Sequence, residues 1–78
     1  MDLPLISQLR SRLESILLVL DSPASVELLA RALGAERDVV SDCLRSIQRE
    51  LDSRGSGIDL RETQEGWRFY TRTENAAA

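Results

Sequence analysis

The chain has 78 residues, enough for one small domain that hides only about 60% of its unfolded surface when it folds. Its ten basic residues, all Arg, are outweighed by thirteen acids, and a net charge of −3 argues against a protein that mainly grips phosphate backbones. A single cysteine and no histidine exclude a disulfide framework and a Cys/His zinc site, and the longest apolar run, "ILLVL", is too short to span a membrane.

The first predicted helix runs from Asp2 to Asp21. Asp2 is a suitable N-cap, Pro4 falls in the first turn, and Pro23 in "DSPA" favours an end to the helix. Seven apolar side chains recur at helical spacing and predict one buried stripe: Leu5, Ile6, Leu9, Leu13, Ile16, Leu17 and Leu20.

Leu18 and Val19 do not fit this stripe. One interpretation is that helices 2 and 3 wrap the end of helix 1 on several sides. The other is that another chain covers a second apolar face of helix 1, and that Leu3 and Leu5 extend this face. A small domain gains stability by pairing, so we take Leu3, Leu5, Leu18 and Val19 as candidate dimer-interface residues.

The second predicted helix is "VELLARAL", with Ser25 as its N-cap and Gly34 as the residue that ends it. Its predicted apolar side consists of Leu28, Leu29, Ala32 and Leu33. The third helix begins near Ala35 or Glu36 and runs to about Ser53, and its predicted inward stripe consists of Val40, Cys43, Leu44, Ile47 and Leu51. The short connection between these two helices, with Gly in the turn, is typical of a helix–turn–helix.

After "RGSG" the period changes to two, which predicts a β-hairpin closed by "TQEG". Trp67 and Phe69 lie on one face with Ile58 and Leu60 and should fasten the hairpin to the helices, whereas Tyr70 points to the other, half-wet face. Arg61, Arg68 and Tyr70 are the candidate contact residues of this hairpin. The acids Asp59, Glu62 and Glu65 offset its arginines, which leaves at most a weak contact with phosphate.

Three helices followed by a hairpin form an α+β fold, the winged helix. In DNA-binding winged helices the third helix enters the major groove. Here its outward face carries three acids and two arginines, and we expect Asp42 to pair with Arg45 and Arg49 with Asp52. Such a face favours protein contact. A winged-helix transcription regulator that binds DNA is the alternative.

The sequence offers nothing for catalysis. It has no histidine to act as a general base and no phosphate-binding glycine loop, and Cys43 lies on an inward stripe. We therefore predict a protein that is not an enzyme and that uses no cofactor and no metal.

Two stretches resemble the bacterial segregation and condensation protein B family: "ESILLVLDSPASVELLARALG" and "RGSGIDLRETQEGWRFYTR". The second is similar to the family's wing, with its Gly-Ile-x-Leu-Arg and Gly-Trp-Arg-x-Tyr-Thr strands. The resemblance covers Glu14 to Arg72. It implies an N-terminal winged-helix domain, residues 1–73, and a flexible tail, residues 74–78, from a longer protein with two winged-helix domains.

The resemblance also implies a function. Members of the family are accessory subunits of the bacterial condensin complex, which organises and segregates chromosomes. They act in the cytoplasm, associated with the nucleoid. Their first domain is associated with homodimerisation, and their second contributes much of the contact with the kleisin subunit (segregation and condensation protein A), which links them to the SMC ATPase. The implied partners of this chain are therefore a second copy and the kleisin, without direct DNA binding and without a membrane.

Overall fold

The computed structural model describes the backbone of residues 3–72 and the side chains of residues 8–72. Within that range the elements are α1 (Leu3–Val19), α2 (Val26–Leu33), α3 (Arg37–Ser53), β1 (Ile58–Thr63) and β2 (Gly66–Thr71). The predicted order of three helices and a hairpin is confirmed. The N-cap predicted at Asp2, the end of the predicted domain at Thr73 and the predicted tail, residues 74–78, lie outside the described residues.

The helix ends follow the local capping chemistry. The Ser25 hydroxyl accepts a hydrogen bond from the backbone N–H of Leu28 at 3.1 Å, and Gly34 adopts the left-handed conformation with φ 63°, so α2 has the predicted bounds. Helix α1 ends at Val19, two residues before the predicted end, and its last turn closes with a bond from Leu20 N–H to the Ile16 carbonyl.

The core lies where the three helices meet the inner face of the hairpin. Its buried apolar residues are Leu13, Leu17, Ala24, Leu29, Ala30, Val40, Leu44, Ile47, Leu51, Leu60 and Trp67. The predicted stripe of α3 is confirmed, with Cys43 half-buried beside it. The predicted apolar side of α2 is partly wrong, because Leu28 is 49% exposed and Ala32 is also exposed. A helix of eight residues meets the core along a narrow strip, and here the strip is Leu29, Ala30 and Leu33.

The hairpin is antiparallel, and Leu60 pairs with Phe69 while Asp59 pairs with Tyr70. The predicted faces are therefore confirmed: Trp67 is buried and Phe69 packs on the core, whereas Tyr70 is half-buried on the opposite face. The chain reverses direction over two residues, 64 and 65, so Thr63 pairs with Gly66 and Glu62 pairs with Trp67 near the turn of the hairpin.

The segment between α1 and α2 adds an isolated β-bridge to the hairpin, at Ala24, that the sequence did not reveal. The backbone N–H of Ala24 donates to the Trp67 carbonyl at 3.0 Å, and the Trp67 N–H donates to the Ala24 carbonyl at 2.7 Å. On the other side of the hairpin, the Gln48 amide donates to the Leu60 carbonyl at 2.9 Å and joins α3 to β1. The hairpin is thus held from both edges.

Candidate protein-interaction surfaces

Leu18 and Val19 form an exposed apolar pair at the end of α1. Their side chains are 69% and 77% exposed, whereas Leu17, one position earlier, is 3% exposed. The interpretation in which helices 2 and 3 wrap this end of the helix is therefore wrong for the single chain. Because the core side of α1 is already occupied by Leu13 and Leu17, the exposed pair faces away from the domain's own core. It is available to a partner.

The other two candidates at this surface remain predictions. The backbones of Leu3 and Leu5 belong to α1, but their side chains lie outside the described residues. Between Leu3 and Leu18 the same helix presents polar side chains, and Arg10, Ser11, Glu14 and Ser15 line a shallow surface depression that reaches Leu18. The exposed apolar pair is thus bordered by polar groups, as the centre of an interface is bordered by its rim.

Helix α3 carries a mixed and mostly unpaired set of charges on its outer face. The predicted pairs of Asp42 with Arg45 and of Arg49 with Asp52 are not formed: in the described part of the chain, neither Arg45 nor Arg49 has a carboxylate oxygen within 4.0 Å. Asp52 instead lies 3.6 Å from Arg72, at the end of the hairpin. Competition from this distant arginine explains why spacing along the helix misassigned the partner.

The outer face of the hairpin gathers two arginines around one aromatic ring. The guanidinium carbons of Arg61 and Arg68 lie 5.6 Å and 5.8 Å from the centre of the Tyr70 ring, which is within the range of cation–π attraction. The structure therefore brings the three predicted hairpin residues together. Arg61 and Arg68 are also direct cross-strand partners, and the Asp59 carboxylate lies 2.9 Å from Arg61.

Arg72 fixes the open end of the hairpin, a structural role that its sequence position did not reveal. Its Nε donates to the Ser56 carbonyl at 2.6 Å, and its terminal nitrogens lie 3.6 Å from Asp52 and 3.9 Å from Asp59. Its own backbone N–H donates to the Gly57 carbonyl at 3.0 Å. These contacts join the residue after β2 to the segment before β1 and to α3, so Arg72 holds the open end of the hairpin in place.

The described residues offer little for chemistry. Within residues 8–72 no group of three or more His, Cys, Asp or Glu side chains is arranged to hold a metal ion. Burial raises the pKa of the Cys43 thiol, an effect that nearby Arg10 partly offsets, so this thiol is a weaker nucleophile than a free cysteine. No helix in the described range has the length and hydropathy needed to cross a membrane.

One apolar cleft was not foreseen from the sequence. It has a volume of about 440 Å³ and lies between α1 and the turn from α2 to α3, with Leu9, Leu33 and Val39 among its lining residues. It is open and shallow, and Arg12 and Glu36 stand at its border. Its apolar lining consists of side chains at the edges of the apolar helix faces, which are only partly buried. Helical periodicity alone does not distinguish such side chains from fully buried ones.

Comparison with known proteins agrees with this architecture. The family model described as "Segregation and condensation complex subunit ScpB" matches residues 11–78. Segregation and condensation protein B of Myxococcus xanthus (strain DK1622) is 36% identical over 64 residues, which is 82% of this chain and 20% of that protein.

Solved structures agree in fold. The crystal structure of ScpB from Mycobacterium tuberculosis superposes with a TM-score of 0.91 at 42% identity and covers 99% of this chain and 46% of that one. A solved dimer of a ScpB N-terminal domain, complexed with a ScpA peptide, has a TM-score of 0.84 at 19% identity and covers 92% of this chain and 90% of that one.

These matches confirm the winged-helix fold and the resemblance seen in the sequence. The chain spans a fifth of the Myxococcus protein and just under half of the Mycobacterium chain. Because the family model covers most of its length, this chain belongs to the segregation and condensation protein B family.

Proposed function

We propose that this chain is the N-terminal winged-helix part of an accessory subunit of the bacterial condensin complex, and that it works by binding proteins rather than by catalysis. Its partners are a second copy of itself and the kleisin subunit, segregation and condensation protein A, through which it meets the SMC ATPase in the cytoplasm at the nucleoid. Family membership supports this proposal, as does the relative that forms a dimer with a bound ScpA peptide.

The observation that carries the dimer proposal is the exposure of Leu18 and Val19 on α1. Burying one such side chain is worth about 1.5–3 kcal/mol. A two-fold interface buries both copies of each residue, so the exposed parts of the four side chains contribute about 4–9 kcal/mol towards association. Association itself costs at least about 4 kcal/mol, so the interface needs further apolar area. We propose that Leu3 and Leu5 supply it.

The charges on α3 support protein contact over DNA contact. Asp38 and Asp42 are exposed on the helix that would enter a major groove, where the phosphate potential repels acids. The two arginines of this face, Arg45 and Arg49, do not outnumber these acids. A face with balanced charge lacks the attraction that dominates DNA affinity.

The dimer proposal is tested by the solution mass of the chain at several concentrations, measured by sedimentation equilibrium or light scattering. We expect a dimer at tens of micromolar, and Leu18→Glu should weaken it by about 100-fold or more, because each dimer would bury two uncompensated charges. Leu28→Glu is the matched control, since it adds the same charge to an exposed leucine of α2. A monomeric parent chain, or equal effects of the two variants, would contradict the proposal.

The DNA alternative is tested by gel shift with duplex DNA at low salt. We expect no shift at protein concentrations that saturate the dimer. A shift that falls steeply with salt and disappears when Arg45 and Arg49 are both changed to Glu would favour the transcription regulator instead.

A further inference from the structure

In the described part of the chain, the outer edge of β2 is paired only at its start, where Trp67 bonds to Ala24. In an antiparallel ladder, the backbone groups of successive residues point alternately towards the partner strand and away from it. The N–H and carbonyl of Trp67 point away from β1, since both bond to Ala24. Phe69 and Thr71 lie two and four positions after Trp67, so their N–H and carbonyl groups point to the same outer edge. Arg72 lies an odd number of positions after Trp67, and its N–H points the other way, towards Gly57 at the start of β1, as this alternation requires.

Among residues 3–72, no strand pairs with this edge beyond Ala24. Within residues 3–72 the bonds outside the helices and the hairpin ladder include none to the backbone groups of Phe69 or Thr71. Two residues of β2 therefore present four hydrogen-bonding groups, next to a bridge at Ala24 that already has β geometry. An open edge of this kind is a template for another extended strand.

The side chains beside this edge are cationic. Arg68 stands directly opposite Arg61, and like charges in that position destabilise a hairpin. Asp59 lies 2.9 Å from Arg61, but in the described part of the chain Arg68 has no carboxylate within 4.0 Å. Arg61 thus has a carboxylate partner, whereas Arg68, next to the open edge, contacts the Tyr70 ring and no carboxylate among the described residues.

We infer that the outer edge of β2 binds an extended acidic segment of a partner protein as an added strand. Its backbone would bond to Phe69 and Thr71, and an acidic side chain would lie beside Arg68. Its next side chain on that face would lie beside the Tyr70 ring. This inference concerns the hairpin and does not depend on dimerisation through α1.

The charges select this occupant over two others. A second copy paired along the same edge would bring its own Arg68 to the same face and repeat the repulsion. A nucleic acid offers phosphates but lacks the peptide groups that would pair with Phe69 and Thr71. An acidic strand satisfies both the backbone groups and the arginine.

The test uses the intact chain and a nine-residue peptide, blocked at both ends, in which Val and Glu alternate. Binding is followed by amide NMR and hydrogen exchange. We expect the largest shifts and new exchange protection at the N–H groups of Phe69 and Thr71, with a Kd of about 1 mM or tighter. The matched peptide with Lys in place of Glu should bind at least about fivefold more weakly.

Two variants separate the edge from general charge. Arg68→Glu should weaken the Glu peptide by about fivefold to tenfold and improve the Lys peptide, whereas Arg31→Glu, on α2, should change neither. Thr71→Pro removes an edge donor that the hairpin does not use and should also weaken the peptide. Far-UV circular dichroism identifies a variant that has not folded. If Arg68→Glu has not folded, Arg68→Ala tests the same charge effect, with a smaller expected change in peptide affinity.

The inference is overturned if no peptide binds at several millimolar, or if the Glu and Lys peptides bind alike. It is also overturned if Phe69 and Thr71 become protected with rising protein concentration alone, which would make the occupant a second copy. Oligothymidylate that displaces the peptide would assign the site to nucleic acid instead. A Leu18→Glu chain that is monomeric but still binds the peptide would separate this site from the dimer proposal.

Discussion

Gly66 is the position at which a single methyl group should do the most damage to the hairpin. Its φ is 135°, which L-residues rarely adopt, and a Cβ placed there would lie within 3.0 Å of the backbone nitrogen, carbon and oxygen of Ala24. The neighbour is main chain and cannot rotate away. Gly66→Ala must therefore push β2 away from the Ala24 backbone, although the Ala24–Trp67 bridge holds the two together.

The cost of this change follows from the contacts. Backbone strain at such a φ costs about 1–3 kcal/mol, and each of the two bridge hydrogen bonds contributes about 0.5–1.5 kcal/mol. We expect Gly66→Ala to lower the free energy of unfolding by about 2–6 kcal/mol, out of roughly 4–12 kcal/mol for a domain of this size. The measurement is urea denaturation, with the midpoint and slope fitted for each variant.

Gly55 is the matched control for this prediction. It also has a positive φ, 62°, but a Cβ there would meet nothing within 4 Å. Gly55→Ala should therefore cost only the strain of the left-handed conformation, about 1 kcal/mol. Equal losses in the two variants would show that the close approach of Ala24 to Gly66 does not contribute to stability, which would contradict this reasoning.

Three other positions give separate tests. Since burial raises the pKa of the Cys43 thiol, the thiol should react more slowly with a thiol reagent at pH 8 in the folded chain than in the urea-unfolded chain. The stability that the neutral thiol contributes should be complete below the pKa of the unfolded thiol and should be lost as the pH rises through the raised pKa of the folded thiol. Cys43→Ser should flatten this dependence of stability on pH. Gln48→Ala should cost about 1 kcal/mol in thermal denaturation, because it leaves the Leu60 carbonyl without its side-chain donor. Trp67→Phe should cost about 1–2 kcal/mol for lost volume, measured by urea denaturation, because the buried indole N–H bonds to none of the described residues.

The sequence predicts features whose cause is local. Ser25 and Gly34 set the ends of α2 through bonds to residues three or four positions away, and the period of two in the hairpin assigns Trp67 and Tyr70 to opposite faces. Leu18 and Val19 stand out because they break a helical period. Each of these signals lies within a few residues of the structure it specifies.

Contacts between distant segments have no such signal. Ala24 lies in "DSPA", which has the composition of a turn, yet it forms a strand bridge because the hairpin folds back beside it. Asp52 has a suitable arginine three positions away at Arg49 but contacts Arg72, which the Ser56 carbonyl holds in reach. Spacing along one helix gives the candidates for pairing, whereas the fold decides which candidate is near.

The hairpin and α3 present different charges to a partner, since Arg68 lies beside the outer edge of β2 whereas Asp38 and Asp42 are exposed on α3. A duplex that approaches α3 would bring its phosphates towards the exposed carboxylates of Asp38 and Asp42. A short extended peptide contacts only the outer edge of β2 and avoids these acids. Since charges more than about 8 Å apart are largely screened at physiological salt, the local charge beside Arg68 and not the net charge of −3 decides what binds there. The acids of α3 therefore disfavour a polyanion on that helix, while the open edge beside the hairpin arginines remains suited to the proposed acidic strand.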